Sequence, residues 1–185
     1  MKKTMVFGIS ITLALVFGWQ VAQGDDDDWR FGQSWKRTAD VAPINNPVYI
    51  EECGSCHMAF PPGLLPARSW EKMMGGLEDH FGDNAELEPD TQTALTQYLL
   101  NNSADSSDYR RSRKVMRSLA SNQTPLRITK VPYIQHEHDE IPARMVSDNT
   151  DVGSLSNCMA CHQQADKGSF SERDINIPGY GSWDD

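Results

Sequence analysis

All four cysteines of this 185-residue chain fall into two copies of one pattern, Cys53-Gly54-Ser55-Cys56-His57 and Cys158-Met159-Ala160-Cys161-His162. No other feature restricts the fold so strongly, because each copy ties three reactive side chains into about one turn of backbone. Two disulfides would use the thiols but leave His57 and His162 without a role. A zinc site can use Cys and His, yet its usual ligand groups do not place a histidine directly after the second cysteine of each pair. C-x-x-C-H is the attachment pattern of c-type haem. Two thiols separated by two residues can form thioethers to the two vinyl groups of one porphyrin. The next residue then brings its imidazole under the iron. The sequence therefore predicts two covalently attached haem c groups, joined through Cys53, Cys56, Cys158 and Cys161, with His57 and His162 as proximal ligands.

Two haems also explain a thin composition. Hydrophobic residues make up 38% of the chain, and Gly and Pro are plentiful. Two porphyrins supply large apolar faces around which such a loop-rich chain can be stable. The expected fold is mainly α, with two small cytochrome c-like haem-binding halves joined by loops.

The N-terminus reads as an export signal. Lys2 and Lys3 precede an apolar run from Met5 to Trp19, and Ala22 and Gly24 are the small residues a signal peptidase requires. That run is short for a membrane span, which needs about 20 residues, so residues 1–24 are expected to be removed rather than kept as an anchor. The mature chain then lies outside the cytoplasm and is not inserted in a membrane. Losing Lys2 and Lys3 takes the net charge from −9 to −11, which disfavours nucleic acid or an anionic membrane surface as partner. Residues 25–46 begin with Asp25 to Asp28 and form an acidic, partly disordered segment.

Residues 47–104 form the first haem-binding half and residues 105–185 the second, divided at the polar, serine-rich stretch Asn101 to Asp108. Within the first half, Trp70, Met73, Met74, Leu77 and Phe81 recur at helical spacing and predict a helix over Ser69 to His80. Ser69 is its expected N-cap and Gly82 its expected terminator. Pro89 opens the next helix, with Leu95, Tyr98 and Leu99 facing inward. Tyr109 to Leu119 reads as an amphipathic helix with Arg110, Arg113, Lys114 and Arg117 on one face. Such a stripe is ordinarily solvated, and otherwise a docking patch. Pro125 and Pro132 are expected to keep Thr124 to Ile134 extended. Leu155 to His162 should turn helical to carry the second motif, and the tail beyond Gly168 should cover a haem edge.

Each iron needs a sixth ligand, and three histidines and several methionines remain for the two positions. His80 lies seven residues beyond Met73, so on one helix both share a face and His80 points toward the first haem. Met73 and Met74 suit packing against the porphyrin. For the second haem the candidates are His136 and His138, with Met145 behind them. On a helix, residues two apart diverge by about 200°, so one histidine would turn inward and the other outward.

The segments "EECGSCHMAFPPGLLPARSW", "LEDHFGDNAEL", "TPLRIT" and "SNCMACHQQADKGSFSERDINIP" resemble, in order, the small dihaem cytochromes c known as DHC. The resemblance runs from about Tyr49 to Pro178. It implies a periplasmic electron carrier with two bis-histidine, low-spin haems. The histidine of the "HFG" segment serves the first haem in that family, matching His80. The histidine before a "DEIP"-like segment serves the second, matching His138 and leaving His136 as a candidate substitute. The resemblance also implies redox protein partners, such as a small oxygen-binding mono-haem cytochrome or a membrane b-type cytochrome.

With both irons six-coordinate there is no open position for a substrate. The expectation is therefore a one-electron carrier rather than an enzyme. The alternative is a dihaem peroxidase with one ligand-exchangeable haem.

Overall fold

Each helix begins or ends where a particular residue dictates. A computed structural model describes residues 39–183; the predicted signal peptide and most of the acidic segment lie outside the described residues. Six α-helices carry the described chain: α1 (Pro47–Gly54), α2 (Ala67–Met74), α3 (Pro89–Asn101), α4 (Arg110–Ser118), α5 (Pro132–His136) and α6 (Cys158–Cys161). Short 3-10 turns punctuate the loops between them. Among the described residues no sheet forms, and the β-pairing consists of isolated bridges. No described helix is long and apolar enough to cross a membrane.

Asn46 caps α1 by accepting the Tyr49 N–H at 3.0 Å, and Pro47 starts the helix where a missing N–H is harmless. Pro89 does the same for α3, which buries Leu95 and Leu99 one turn apart. Pro132 was expected to hold its stretch extended; instead it opens α5, because proline's fixed φ suits the first helical position.

The helix expected over Ser69 to His80 is shorter. α2 starts after Pro66, places Ser69 inside the packed core, and stops at Met74, where Gly75-Gly76 offers no helix propensity. A 3-10 turn over Leu77–Asp79 then leads to His80. Gly82, expected to cap this helix, instead sits at φ +108 in the turn after His80. The second motif's helix is also shorter than predicted, limited to Cys158–Cys161.

The described residues belong to one compact unit, 37–185. Its main hydrophobic cluster joins Tyr49, Leu65, Trp70, Leu95 and Leu99 with Val115, Val131 and Tyr133. Trp70 anchors it by donating its indole N–H to the Pro62 carbonyl at 2.8 Å. A second cluster gathers Val41, Leu64, Ala165 and Phe170, and a third Met145, Val146, Val152 and Ile177. The serine-rich stretch packs as well: Ser103 and Ala104 are buried, and the Ala104 N–H donates to the Leu65 carbonyl at 2.9 Å.

Candidate haem-binding site

A cavity of about 980 Å³ is lined by all four cysteines and by four of the five histidines. Within it the histidines stand as two facing pairs. The rings of His57 and His80 are stacked with centroids 6.2 Å apart and planes 27° apart. Those of His138 and His162 are 6.0 Å apart at 74°. Two imidazoles on opposite sides of one metal need about 6 Å between ring centres, from metal–nitrogen bonds of about 2.0 Å and about 1.1 Å more to each ring centre. Both pairs meet that spacing. Among the described residues no group of three or more His, Cys, Asp or Glu could hold a metal ion by itself. The donor set thus fits an axial histidine pair on a porphyrin iron better than a protein-only chelate.

Backbone contacts hold each ring. His57 Nδ1 donates to the Met58 carbonyl at 2.8 Å, and His138 Nδ1 to the Ile134 carbonyl at 2.7 Å. A carbonyl only accepts, so Nδ1 is the donor and Nε2 is the nitrogen left to face a metal. His80 is fixed differently. It forms an isolated bridge with Asp83, its N–H reaching the Asp83 carbonyl at 2.7 Å. The turn forces Phe81 to φ +61, an uncommon conformation for a bulky side chain, and Arg127 stacks on the Phe81 ring at 3.9 Å. His162 lies in a bridge with Ile175, with Phe170 edge-on to its ring at 5.4 Å. The His162 Nδ1 is buried without a hydrogen-bond partner among the described residues.

Burial, more than neighbouring charge, favours the neutral form of two of these rings, the form that binds metal. Burial pushes His162 down to about 4, helped by His138 and Arg111 and opposed by Asp40. Burial, His57 and Arg127 lower His80, against Asp83. The cysteines move the other way. Before haem is attached, burial raises Cys53 and Cys158 to about 11 and lifts Cys161 as well, so these three are thiols at neutral pH.

The structure therefore brings together Cys53, Cys56, His57 and His80 on one side, and Cys158, Cys161, His162 and His138 on the other. His136 is left out. Its side chain is 81% exposed and pairs with Asp139 at 3.3 Å. Met145, the other fallback, is buried in the third cluster. Met73 and Met74 line the same cavity.

Sequence reasoning missed Arg111. It projects from the buried side of α4, 8% exposed, and lines the cavity. The one available signal was its place four residues before buried Val115, on the apolar stripe of a helix read only for its outer cations.

Residues 49–170 match the family model of the dihaem cytochromes c. Among solved structures, the diheme cytochrome c from Shewanella baltica OS155 is 44% identical, with a TM-score of 0.62, covering 76% of this chain and 100% of that one. The diheme cytochrome c from Rhodobacter sphaeroides is 40% identical, with a TM-score of 0.63, covering 70% and 100%. A crystal structure of DHC purified from Rhodobacter sphaeroides is 38% identical, with a TM-score of 0.56, covering 69% and 99%. No curated protein sequence matches the chain.

Proposed function

This chain belongs to the dihaem cytochrome c family and carries two covalently attached haem c groups, and from that premise we propose that it is an exported one-electron carrier with both irons closed by histidine. Cys53 and Cys56 hold the first haem and Cys158 and Cys161 the second. His57 and His80 bind the first iron, and His162 and His138 the second. The spacing of the two facing pairs, 6.2 and 6.0 Å between ring centres, carries this reading.

Each bound haem supplies an Fe(III)/Fe(II) couple. The chain's own part is to close both faces of each iron, so that oxygen, peroxide or nitrite finds no vacant position. Met58 and Ile134 carbonyls make His57 and His138 more basic ligands, which favours the oxidised iron. Phe60 and Phe170 brace the proximal rings, at 5.0 and 5.4 Å. Residues 1–24 direct the chain to the periplasm, where its partners are redox proteins. A small oxygen-binding mono-haem cytochrome and a membrane b-type cytochrome are the partners the family suggests.

Electron paramagnetic resonance of the oxidised protein, with carbon monoxide added after reduction, tests the assignment. Two low-spin signals and no carbon monoxide adduct are expected. A high-spin signal or a ready adduct would point instead to an exchangeable ligand of the peroxidase type.

A further inference from the structure

The second histidine pair is served by a buried cation, Arg111, with no buried counterpart at the first among the described residues. Arg111 reaches three separate stretches of chain. Its Nη1 donates to the Tyr133 hydroxyl at 2.7 Å and to Glu137 Oε2 at 3.2 Å. Those residues lie on and just beyond α5, and Glu137 directly precedes His138. Its Nη2 donates to the Phe170 carbonyl at 2.6 Å, and Phe170 is the ring packed against His162. Its Nε lies 3.8 Å from Asp40 Oδ2, and the same carboxylate oxygen accepts the Phe170 N–H at 2.8 Å. One side chain thus joins the turn that presents His138 to the residue that braces His162.

Burying a guanidinium is costly unless it is paired and hydrogen-bonded, and an apolar side chain would fill the same space more cheaply. Glu137 and Asp40 supply the pairing. Tyr133, raised to about 12 by burial, keeps its proton and donates it to Glu137 at 2.9 Å. A charge held in this position acts on whatever lies between His138 and His162. Adding an electron there lowers the local charge by one, so a nearby cation favours the reduced state and nearby carboxylates favour the oxidised state. At the first pair the neighbouring cation is Arg127, which is solvent-exposed and therefore screened. Arg111 is not.

We propose that Arg111, held by Asp40 and Glu137, positions the second histidine pair, and that its own charge selectively raises the reduction potential of the haem held between them above what the two carboxylates alone would set. This rests on the reading that His138 and His162 bind one iron.

Spectroelectrochemical titration of the full holo-protein and of Arg111→Gln, Arg111→Lys and Asp40→Asn tests it. At a fixed potential, Arg111→Gln should shift one couple at least tenfold toward the oxidised form, which is about 59 mV for a one-electron couple. Asp40→Asn keeps an acceptor for Phe170 but removes a negative charge, so it should shift the same couple toward the reduced form. Arg111→Lys should stay near the parent, and the other couple should not move in any variant. A purely structural role would disturb both charge variants in one direction. That result, equal movement of both couples, or no movement would overturn the proposal. If Arg111→Gln does not fold, Asp40→Asn alone decides, and an unmoved potential there overturns it. The couple that moves must be the one whose low-spin signal disappears in His138→Ala. If His138→Ala leaves both signals low-spin, the histidine-pair reading falls, and this proposal with it; unmoved potentials with His138→Ala behaving as expected bring down only the proposal.

Discussion

Replacing Gly168 by alanine should loosen the segment that carries Asp40. Gly168 follows the turn Ala165–Lys167 at φ +75, and its carbonyl accepts the N–H groups of Asp40 at 2.8 Å and Val41 at 3.1 Å. A side chain in this left-handed conformation costs about 1 kcal/mol before any contact is considered. An added Cβ would then stand 2.6 Å from the Val41 carbonyl oxygen. Because that neighbour is backbone, the two strands of chain must separate. Separation weakens two hydrogen bonds, each worth about 1 kcal/mol. The total is a loss of about 2–4 kcal/mol, to be read as a lower guanidinium midpoint by far-ultraviolet circular dichroism on the holo-protein. Asp40 moves with the segment, so the second couple should also drift in the direction of Asp40→Asn. A midpoint indistinguishable from the parent would refute the reasoning, since it would mean that the turn tolerates the side chain and does not tie down residues 40 and 41.

His138→Ala should convert one haem to a high-spin, carbon monoxide-binding form, whereas His136→Ala, which removes only an exposed pair with Asp139, should leave both signals unchanged; the two variants are compared by electron paramagnetic resonance. Trp70→Phe keeps most of the ring but leaves the buried Pro62 carbonyl without its donor, and should cost about 2–4 kcal/mol in the same denaturation assay. Glu137, lowered from 4.5 in the folded state, contributes stability that is complete above that value and fades as acid protonates the folded carboxylate. Glu137→Gln should therefore flatten the acid limb of the stability profile while leaving a small loss at neutral pH, because the carboxylate is partly solvent-screened.

What the sequence revealed depended on how locally the chemistry was written. Both attachment motifs fit within one turn, so the cysteines and the histidine next to each pair could be read without any knowledge of tertiary structure. His138 was reached through its neighbours in "HDEIP", and the prediction that one of the 136/138 pair turns in and the other out matches their placement. His80 reached the cavity by a route that periodicity did not show. The expected seven-residue repeat from Met73 fails at Gly75-Gly76, and a bridge with Asp83 and a left-handed Phe81 present the ring instead. Pro132 was misread because the same residue stops a helix from within and starts one at its first position. Arg111 was hidden for a different reason. Its partners Asp40, Tyr133, Glu137 and Phe170 are distant in sequence, and only the packing of α4 brings them together.

Iron-edge X-ray absorption of the oxidised holo-protein tests most directly whether two histidines complete each iron. Two imidazoles per haem predict a first shell of nitrogen alone, at about 2.0 Å, with six neighbours around each metal. A sulfur neighbour at about 2.3 Å, or an average shell of fewer than six nitrogens, would contradict the paired histidines at one site or both.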